Sequence, residues 1–221
     1  MTRVDLRIFR LYLVTDSASC GNRHLADVVR AAVQGGVTCV QLREKTLGTR
    51  AFLERAHLLK EVLTEAPSPV PLIINDRLDI ALACGADGVH VGQSDMPPEV
   101  IREHMPHALI GLSVESVADA RRVAERAAPV DYLGVSPVFP TRTKVDTAPA
   151  LGLHGLVAIR ALTSLPLVAI GGIALANAAA ALSSGADGLA VVSAILAAPD
   201  PRMASQELMA VIEEHERMRL S

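Results

Sequence analysis

Eight apolar runs of five or six residues recur along the chain, and they alternate with longer segments whose apolar positions return every three or four residues. The runs are typical of buried β-strands, and the longer segments are typical of amphipathic helices. The predicted strands span residues 11–15, 38–42, 71–75, 88–92, 109–114, 132–136, 166–170 and 188–193. The predicted helices span residues 24–34, 51–63, 77–84, 98–105, 117–128, 153–163, 175–184 and 206–218. This alternation predicts parallel βαβ units.

Eight such units within 221 residues favour a closed α/β fold, the (β/α)8 TIM barrel, over an open doubly wound sheet. No long linker rich in proline or serine divides the elements, so we expect a single domain over residues 1–221. The segments CGADGVHVG (84–92) and SGADGLAVV (184–192) repeat each other, and in both a glycine ends a helix just before the next strand. We therefore assign Asp87 and Asp187 to structural turns and give them no chemistry.

The composition excludes several classes of function. Half of the residues are hydrophobic but only 2% are aromatic, which leaves few rings for stacking nucleic-acid bases. A net charge of −3 gives no general attraction to nucleic acid or to an anionic membrane. The three cysteines include no CxxC pair, and the N-terminal segment lacks the apolar core of a signal peptide. We therefore expect a cytoplasmic protein whose cysteines are reduced. The sequence leaves the oligomeric state open, and a homo-oligomer is one of the states it allows.

One segment resembles a membrane span. Residues 161–186 carry no charge and are numerous enough to cross a bilayer. Pro166, Gly171, Gly172 and Gly185 interrupt the segment where a strand, a turn and a helix would meet. We therefore predict one buried strand followed by one alanine-rich helix, and no contact with a membrane.

Polar side chains follow the predicted strands at the end where barrels of this kind carry their active sites. In the segment that ends strand two, Gln41, Arg43 and Lys45 share one face because side chains alternate along a strand. The alternative is a solvated charged turn. Asp76 and Asp95 follow the neighbouring strands three and four, where two carboxylates with a substrate phosphate would suit Mg²⁺. Taken singly, each aspartate is equally consistent with a helix N-cap.

The later strand ends indicate phosphate sites. Ser113 after strand five would donate to an anion or cap the helix that starts near residue 117. The loop SPVFPTRTK (136–144) presents two threonines and a lysine on a backbone stiffened by proline. Gly171 and Gly172 follow strand seven, and a helix start follows strand eight, which is where many barrels bind phosphate. Two anion sites predict an enzyme that joins two phosphorylated small molecules or cleaves a diphosphate.

These motifs, in this order, resemble the thiamine-phosphate synthase (thiamin phosphate pyrophosphorylase) family over nearly the whole chain. The motifs are LYLVTD (11–16), QLREK (41–45), NDR (75–77), GVHVGQSD (88–95), GLS (111–113), SPVFPTRTK (136–144), AIGGI (169–173) and VVSAI (191–195). The resemblance implies a transferase that couples 4-amino-2-methyl-5-hydroxymethylpyrimidine diphosphate to 4-methyl-5-(2-phosphonooxyethyl)thiazole. It would release thiamine phosphate and pyrophosphate, with Mg²⁺ as cofactor.

The resemblance also implies roles for individual residues. The pyrimidine diphosphate would contact Gln41, Leu42, Arg43, Glu44, Lys45, Asn75, Ser113 and Lys144. Of these, Arg43, Lys45, Ser113 and Lys144 would take part in catalysis, while Asp76 and Asp95 would hold the metal. The thiazole phosphate would contact Thr141, Arg142, Thr143, Gly172, Val192 and Ser193. Whether Arg142 and Glu44 reach substrate or only solvent is open.

The sequence leaves three alternative functions open for a barrel of this kind. A related thiazole tautomerase carries a histidine in the segment where this chain has Glu115, and it lacks much of the diphosphate site. A phosphate-binding barrel of tryptophan biosynthesis would need a general acid and base, and a non-enzymatic binding barrel would not need the metal. Ser136 stands where the family usually has glycine. His90 lies inside strand four, and we predict a satisfied interior histidine in preference to a catalytic base.

Overall fold

The computed structural model describes residues 5–141 and 149–220. Its centre is a closed barrel of eight parallel strands in sequential order, with β8 paired to β1, as predicted. The strands are β1 (Leu11–Val14), β2 (Cys39–Leu42), β3 (Leu72–Asn75), β4 (Gly88–Val91), β5 (Leu109–Val114), β6 (Tyr132–Val135), β7 (Leu167–Ala169) and β8 (Gly188–Val191). Parallel pairing requires both faces of the sheet to be covered, which explains why the strands read as continuous apolar runs.

The helices surround the barrel. They are α1 (Leu25–Gln34), α2 (Thr49–Thr64), α3 (Leu78–Cys84), α4 (Pro98–His104), α5 (Val117–Arg126), α6 (Gly152–Arg160), α7 (Leu175–Ser183), α8 (Ser193–Leu196) and α9 (Pro201–Leu220). Each of the eight predicted helices has its counterpart among them. None of the helices within the described residues is long and apolar enough to span a membrane.

The structure differs from the prediction around the end of β8, at the start of α9 and in two short 3-10 helices. The predicted strand 188–193 ends at Val191, and Ser193 begins the four-residue helix α8. Helix α9 starts at Pro201 and not at residue 206, because Asp200 accepts the backbone N–H of Met203 and proline is favoured at the first helical position. Short 3-10 helices at Leu6–Phe9 and Ser17–Cys20 flank β1 and are too brief to show a periodic pattern.

Two apolar clusters hold the barrel. The larger lies between the outer face of the strands and the helices. The smaller cluster fills the barrel interior and contains Phe9, Tyr12 and Tyr132. The ring centroids of Phe9 and Tyr132 are 4.4 Å apart, and those of the two tyrosines are 6.0 Å apart. The interior is therefore a packed core that closes the floor beneath the C-terminal mouth of the barrel.

Aspartates at the opposite, N-terminal rim join neighbouring strands. Asp87, Asp131 and Asp187 each accept a backbone N–H from the strand before their own, at Leu72 (2.8 Å), Ile110 (2.7 Å) and Leu167 (2.9 Å). The structural assignment of Asp87 and Asp187 agrees with these contacts. Asp131 plays the same part without the Gly-Ala-Asp-Gly signature that pointed to the other two.

Candidate active site

Two adjoining cavities open at the C-terminal mouth of the barrel. We call them the carboxylate cavity and the glycine cavity. The carboxylate cavity is lined by residues that include Gln41, Arg43, Lys45, Asn75, Asp76, His90, Asp95 and Ser113. The glycine cavity is lined by residues that include Thr15, Asp16, Arg43, Thr141, Gly171, Gly172, Ile173, Val192 and Ser193. Their volumes are similar, about 120 and about 100 Å³, and they share Val14, Arg43, Ser136, Ile170 and Ala190.

The end of β2 presents alternate side chains to the carboxylate cavity. Gln41 donates from Nε2 to the Tyr12 hydroxyl at 3.0 Å, and the backbone N–H of Arg43 donates to Thr15 Oγ1 at 3.0 Å. The side chain of Leu42 is fully buried in the cluster between strands and helices. The predicted alternation of Gln41, Arg43 and Lys45 on one face is therefore present, and the side chain of Leu42 points to the other.

Glu44 has a different environment from its neighbours. Its carboxylate accepts from Arg55 Nη1 at 2.5 Å and from Ser17 Oγ at 2.8 Å, and its side chain is only 6% exposed. Among the described residues that line the two cavities, Glu44 and Leu42 do not appear. The sequence could not show this contact because Arg55 comes from the following helix, α2. The ion pair thus attaches the segment after β2 to helix α2 at Glu44, the residue between Arg43 and Lys45.

The two predicted metal ligands lie together at the carboxylate cavity. Lys45 Nζ is 2.5 Å from Asp76 Oδ2, and Asp95 accepts the backbone N–H of Gly92 at 2.8 Å. Burial raises the pKa of Asp76 above its usual range, hydrogen bonding and charge from Lys45 oppose that shift, and the nearby Asp95 adds to it. Asp76 also has a positive φ of 63°, which is uncommon outside glycine and recurs at functional sites.

Neither aspartate is a helix cap. The N-cap positions of α3 and α4 are Arg77 and Pro97, without a side-chain cap in either case. Within the described residues there is no group of three or more His, Cys, Asp or Glu side chains that would enclose a metal. Two carboxylates that leave the remaining positions to water and to phosphate oxygens suit Mg²⁺ better than Zn²⁺.

Ser113 and His90 are joined in the barrel interior. His90 Nε2 lies 2.9 Å from Ser113 Oγ, and His90 Nδ1 lies 3.0 Å from the Tyr132 hydroxyl. Both ring nitrogens therefore have partners, and the prediction of a satisfied interior histidine is confirmed. Ser113 does not cap α5, because Ser116 does so by accepting the backbone N–H of Asp119.

The loop after β6 lies over the glycines that follow β7. Val138 and Phe139 donate backbone N–H groups to the carbonyls of Ile170 and Gly171, both at 2.9 Å. Gly172 has a φ of +65°, and a Cβ there would lie 2.6 Å from the carbonyl oxygen of Pro140. Only glycine fits this position, so the loop and the turn form one wall of the glycine cavity.

The structure brings part of the predicted thiazole-phosphate set together. Thr141, Gly172, Val192 and Ser193 all line the glycine cavity. Ser193 is the first residue of α8, where backbone N–H groups have no partner within the helix. The predictions for Arg142, Thr143 and Lys144 lie outside the described residues. Sequence reasoning assigned no role to Thr15 and Asp16, although they end the LYLVTD motif directly after β1.

Comparison with known proteins agrees with this geometry. A family model described as thiamine monophosphate synthase matches residues 11–195. The thiamine-phosphate synthase of Albidiferax ferrireducens is 59% identical over 211 residues, which cover 95% of this chain and 94% of that protein. The thiamine-phosphate synthase of Chloroflexus aurantiacus is 48% identical over 204 residues, which cover 92% of this chain and 93% of that protein. The chain belongs to the thiamine monophosphate synthase family.

A solved structure supports the same family. Thiamine phosphate pyrophosphorylase from Pyrococcus furiosus matches with a TM-score of 0.85 at 39% identity, over 96% of this chain and 99% of that one. The thiazole tautomerase alternative is not supported, because the relatives that match nearly the full length are thiamine-phosphate synthases. The same relatives identify this member of the thiamine monophosphate synthase family as a biosynthetic transferase, in preference to a non-enzymatic binding barrel.

Proposed function

We propose that the protein is a thiamine-phosphate synthase that couples 4-amino-2-methyl-5-hydroxymethylpyrimidine diphosphate to 4-methyl-5-(2-phosphonooxyethyl)thiazole. The observation that carries the proposal is the pair of adjoining cavities with different chemistry, which meet at Arg43. A transfer between two substrates needs both to be held side by side with their reacting atoms facing each other. The shared border provides that arrangement.

The pyrimidine diphosphate occupies the carboxylate cavity in this proposal. A diphosphate carries more charge than a monophosphate, so it belongs beside Lys45 and Arg43 and beside a cation held by Asp76 and Asp95. When bound there, Mg²⁺ would neutralise negative charge on the diphosphate oxygens. Asn75 and Ser113 add polar groups on β3 and β5 in the same cavity. The predicted contribution of Lys144 would come from the loop after β6.

The thiazole phosphate occupies the glycine cavity. Glycines after β7 and the start of α8 allow backbone N–H groups to approach phosphate oxygens closely. Thr141 and Ser193 add hydroxyl donors there, and Thr143 and Arg142 belong to the same predicted set. In this proposal the monophosphate is bound mainly by backbone N–H groups and hydroxyls, while Lys45 and the metal act on the diphosphate and Arg43 borders both substrates.

The chemistry requires no protein nucleophile, because the thiazole nitrogen itself attacks the pyrimidine methylene carbon. The bond to the diphosphate oxygen breaks, and pyrophosphate leaves with the electron pair. Lys45 and Arg43 stabilise the negative charge that develops on this leaving group. Val14, Ile170 and Ala190 form apolar parts of the border and exclude water from the carbon where the new bond forms.

The methylene can leave as a cation delocalised into the aminopyrimidine ring, so we infer that departure of pyrophosphate precedes attack. Substituents that withdraw electrons from the pyrimidine destabilise such a cation and should slow turnover strongly. Rates measured with a series of substituted pyrimidine diphosphates test this order. An unchanged rate across the series would exclude it.

A product assay tests the function. The purified protein is mixed with both substrates and Mg²⁺, and thiamine phosphate and pyrophosphate are quantified with and without EDTA. We expect both products in equal amounts, and we expect chelation to abolish them. Folded protein that forms no thiamine phosphate would refute the proposed function, and product that persists in EDTA would refute the metal role of Asp76 and Asp95.

A further inference from the structure

A continuous chain of hydrogen bonds crosses the barrel interior beneath the carboxylate cavity. Gln41 Nε2 donates to the Tyr12 hydroxyl at 3.0 Å, and the Tyr12 and Tyr132 hydroxyls are 2.8 Å apart. The Tyr132 hydroxyl is 3.0 Å from His90 Nδ1, and His90 Nε2 is 2.9 Å from Ser113 Oγ. We call this chain the interior relay. All five of its side chains line the carboxylate cavity, with Gln41 and Ser113 at the two ends of the chain.

One direction of the interior relay gives both tyrosine hydroxyls an acceptor within it. The Gln41 amide N–H can only donate, so the Tyr12 oxygen accepts there and its own proton is available to Tyr132. In this direction Tyr132 donates to His90 Nδ1, which places the imidazole proton on Nε2. That proton goes to Ser113 Oγ. The serine hydroxyl proton is thus directed away from the relay.

Burial keeps the hydroxyls of Tyr12 and Tyr132 protonated, as this direction of the interior relay requires. Tyr12 and Tyr132 are at most 1% exposed, and desolvation is the main cause that raises the pKa of each well above its usual value. Both hydroxyls therefore remain protonated and can each donate one hydrogen bond.

The surrounding backbone is shaped to hold the rings. A Cβ at Gly111 would lie 2.2 Å from Tyr132 Cζ and 2.3 Å from His90 Nδ1, and a Cβ at Gly134 would lie 2.9 Å from His90 Cε1. Glycines on β5 and β6 thus provide the space that the two rings fill. Phe9 also packs against Tyr132, with ring centroids 4.4 Å apart. The rings have little room to reorient, which is what a positioning device needs.

We propose that His90 and Tyr132 are positioning residues that fix the Ser113 hydroxyl as a hydrogen-bond donor toward the substrate in the carboxylate cavity. The proposal rests on the proposed function in one respect, since it takes the pyrimidine diphosphate as the acceptor. Without the relay, the Ser113 proton could turn inward to an unprotonated His90 Nε2 and be lost to the substrate.

A double-mutant cycle tests the coupling between Tyr132 and Ser113. Tyr132→Phe removes one hydroxyl and keeps the ring, and Ser113→Ala removes the end of the interior relay. We expect Tyr132→Phe to lower kcat about tenfold, with the KM for thiazole phosphate unchanged. In the Ser113→Ala background, Tyr132→Phe should lower kcat by less than about twofold. The interior relay there no longer ends in a hydroxyl that can donate to the substrate.

A buried hydroxyl outside the site provides the matched control. Ser205 donates to the carbonyl of Pro201 at 2.7 Å within α9 and is fully buried. Ser205→Ala should lower the thermal midpoint to a similar extent as Tyr132→Phe but leave kcat unchanged. A Tyr132→Phe effect of equal size in both backgrounds, or no effect on kcat in either, would overturn the proposal.

Nuclear magnetic resonance tests the relay without reference to the reaction. In ¹⁵N-labelled protein, His90 is assigned among the seven histidines by the loss of its signals in His90→Gln. We expect an unprotonated Nδ1 and a protonated Nε2 in the wild type, and loss of this single tautomer in Tyr132→Phe. A proton on Nδ1 in the wild type would overturn the relay even if the enzyme makes thiamine phosphate. An inactive wild type with the expected tautomer would refute the proposed function alone.

Discussion

The ammonium group of Lys45 lies 2.5 Å from Oδ2 of Asp76, so an ion pair joins the ends of β2 and β3 at the carboxylate cavity. The pair is only partly shielded, since the Lys45 side chain is 53% exposed and that of Asp76 is 22% exposed. In our account the same carboxylate also binds Mg²⁺, and the same ammonium binds the diphosphate. Binding of Mg²⁺ and the diphosphate must therefore replace the Lys45–Asp76 ion pair with two others, one between Asp76 and Mg²⁺ and one between Lys45 and the diphosphate.

Replacement of Asp76 should remove most of the activity. Asp76→Asn keeps the shape but supplies no charge for a metal, and we expect kcat/KM to fall by about 100-fold or more. Product formation measured over a range of Mg²⁺ concentrations checks this. Asp79→Asn is the matched control, because Asp79 pairs with Arg77 on the surface at 2.6 Å and does not line either cavity. A full rate for Asp76→Asn at saturating Mg²⁺ would contradict the metal role.

The same substitution should stabilise the metal-free protein at neutral pH. The folded-state pKa of Asp76 is raised, chiefly by burial, so the protonated form is favoured by folding and the charged form is not. The stability that this group contributes is present at acidic pH and is lost as pH rises through its raised pKa. In EDTA at pH 7 we expect Asp76→Asn to melt about 2 °C higher than the wild type. The difference should shrink toward pH 4, and a variant that melts lower at pH 7 would contradict the argument.

Glu44 should matter for stability more than for binding. Its buried carboxylate holds Arg55 and Ser17, so we expect Glu44→Gln to lower the free energy of unfolding by about 2 kcal/mol. The KM for pyrimidine diphosphate should change by less than about threefold. Urea denaturation and steady-state kinetics measure the two effects. Glu65→Gln, which breaks an exposed ion pair with Arg30, should cost less than about 0.5 kcal/mol. A large rise in KM with unchanged stability would show that Glu44 contacts substrate.

Gly172 tests the wall of the glycine cavity. Gly172→Ala would force a Cβ against the Pro140 carbonyl at a φ of +65°, and we expect the KM for thiazole phosphate to rise at least about tenfold. Gly152 has the same φ of +65°, but no atom of the described residues lies within 4 Å of its Cβ position. Gly152→Ala therefore carries the backbone strain without the collision, and it should leave that KM unchanged. Equal effects of the two substitutions would mean that strain alone is responsible.

The sequence predicted the barrel and much of the site because both depend on local patterns. Alternation in a strand is enough to place Gln41 and Arg43 on one face and Leu42 on the other. It could not show that Arg55 returns from α2 to bind Glu44, since that contact depends on how a helix packs. The interior relay was hidden for the same reason: Tyr12 and Tyr132 are 120 residues apart and meet only when the barrel closes.

The central claim is that two adjoining cavities each hold one substrate, and the KM values of two variants test it most directly. Lys45→Gln changes only the carboxylate cavity, and Ser193→Ala changes only the glycine cavity. We predict that Lys45→Gln raises the KM for pyrimidine diphosphate about tenfold and leaves the KM for thiazole phosphate within about twofold, while Ser193→Ala raises only the latter. Both KM values rising together in either variant, or the opposite assignment of substrates, would contradict the account.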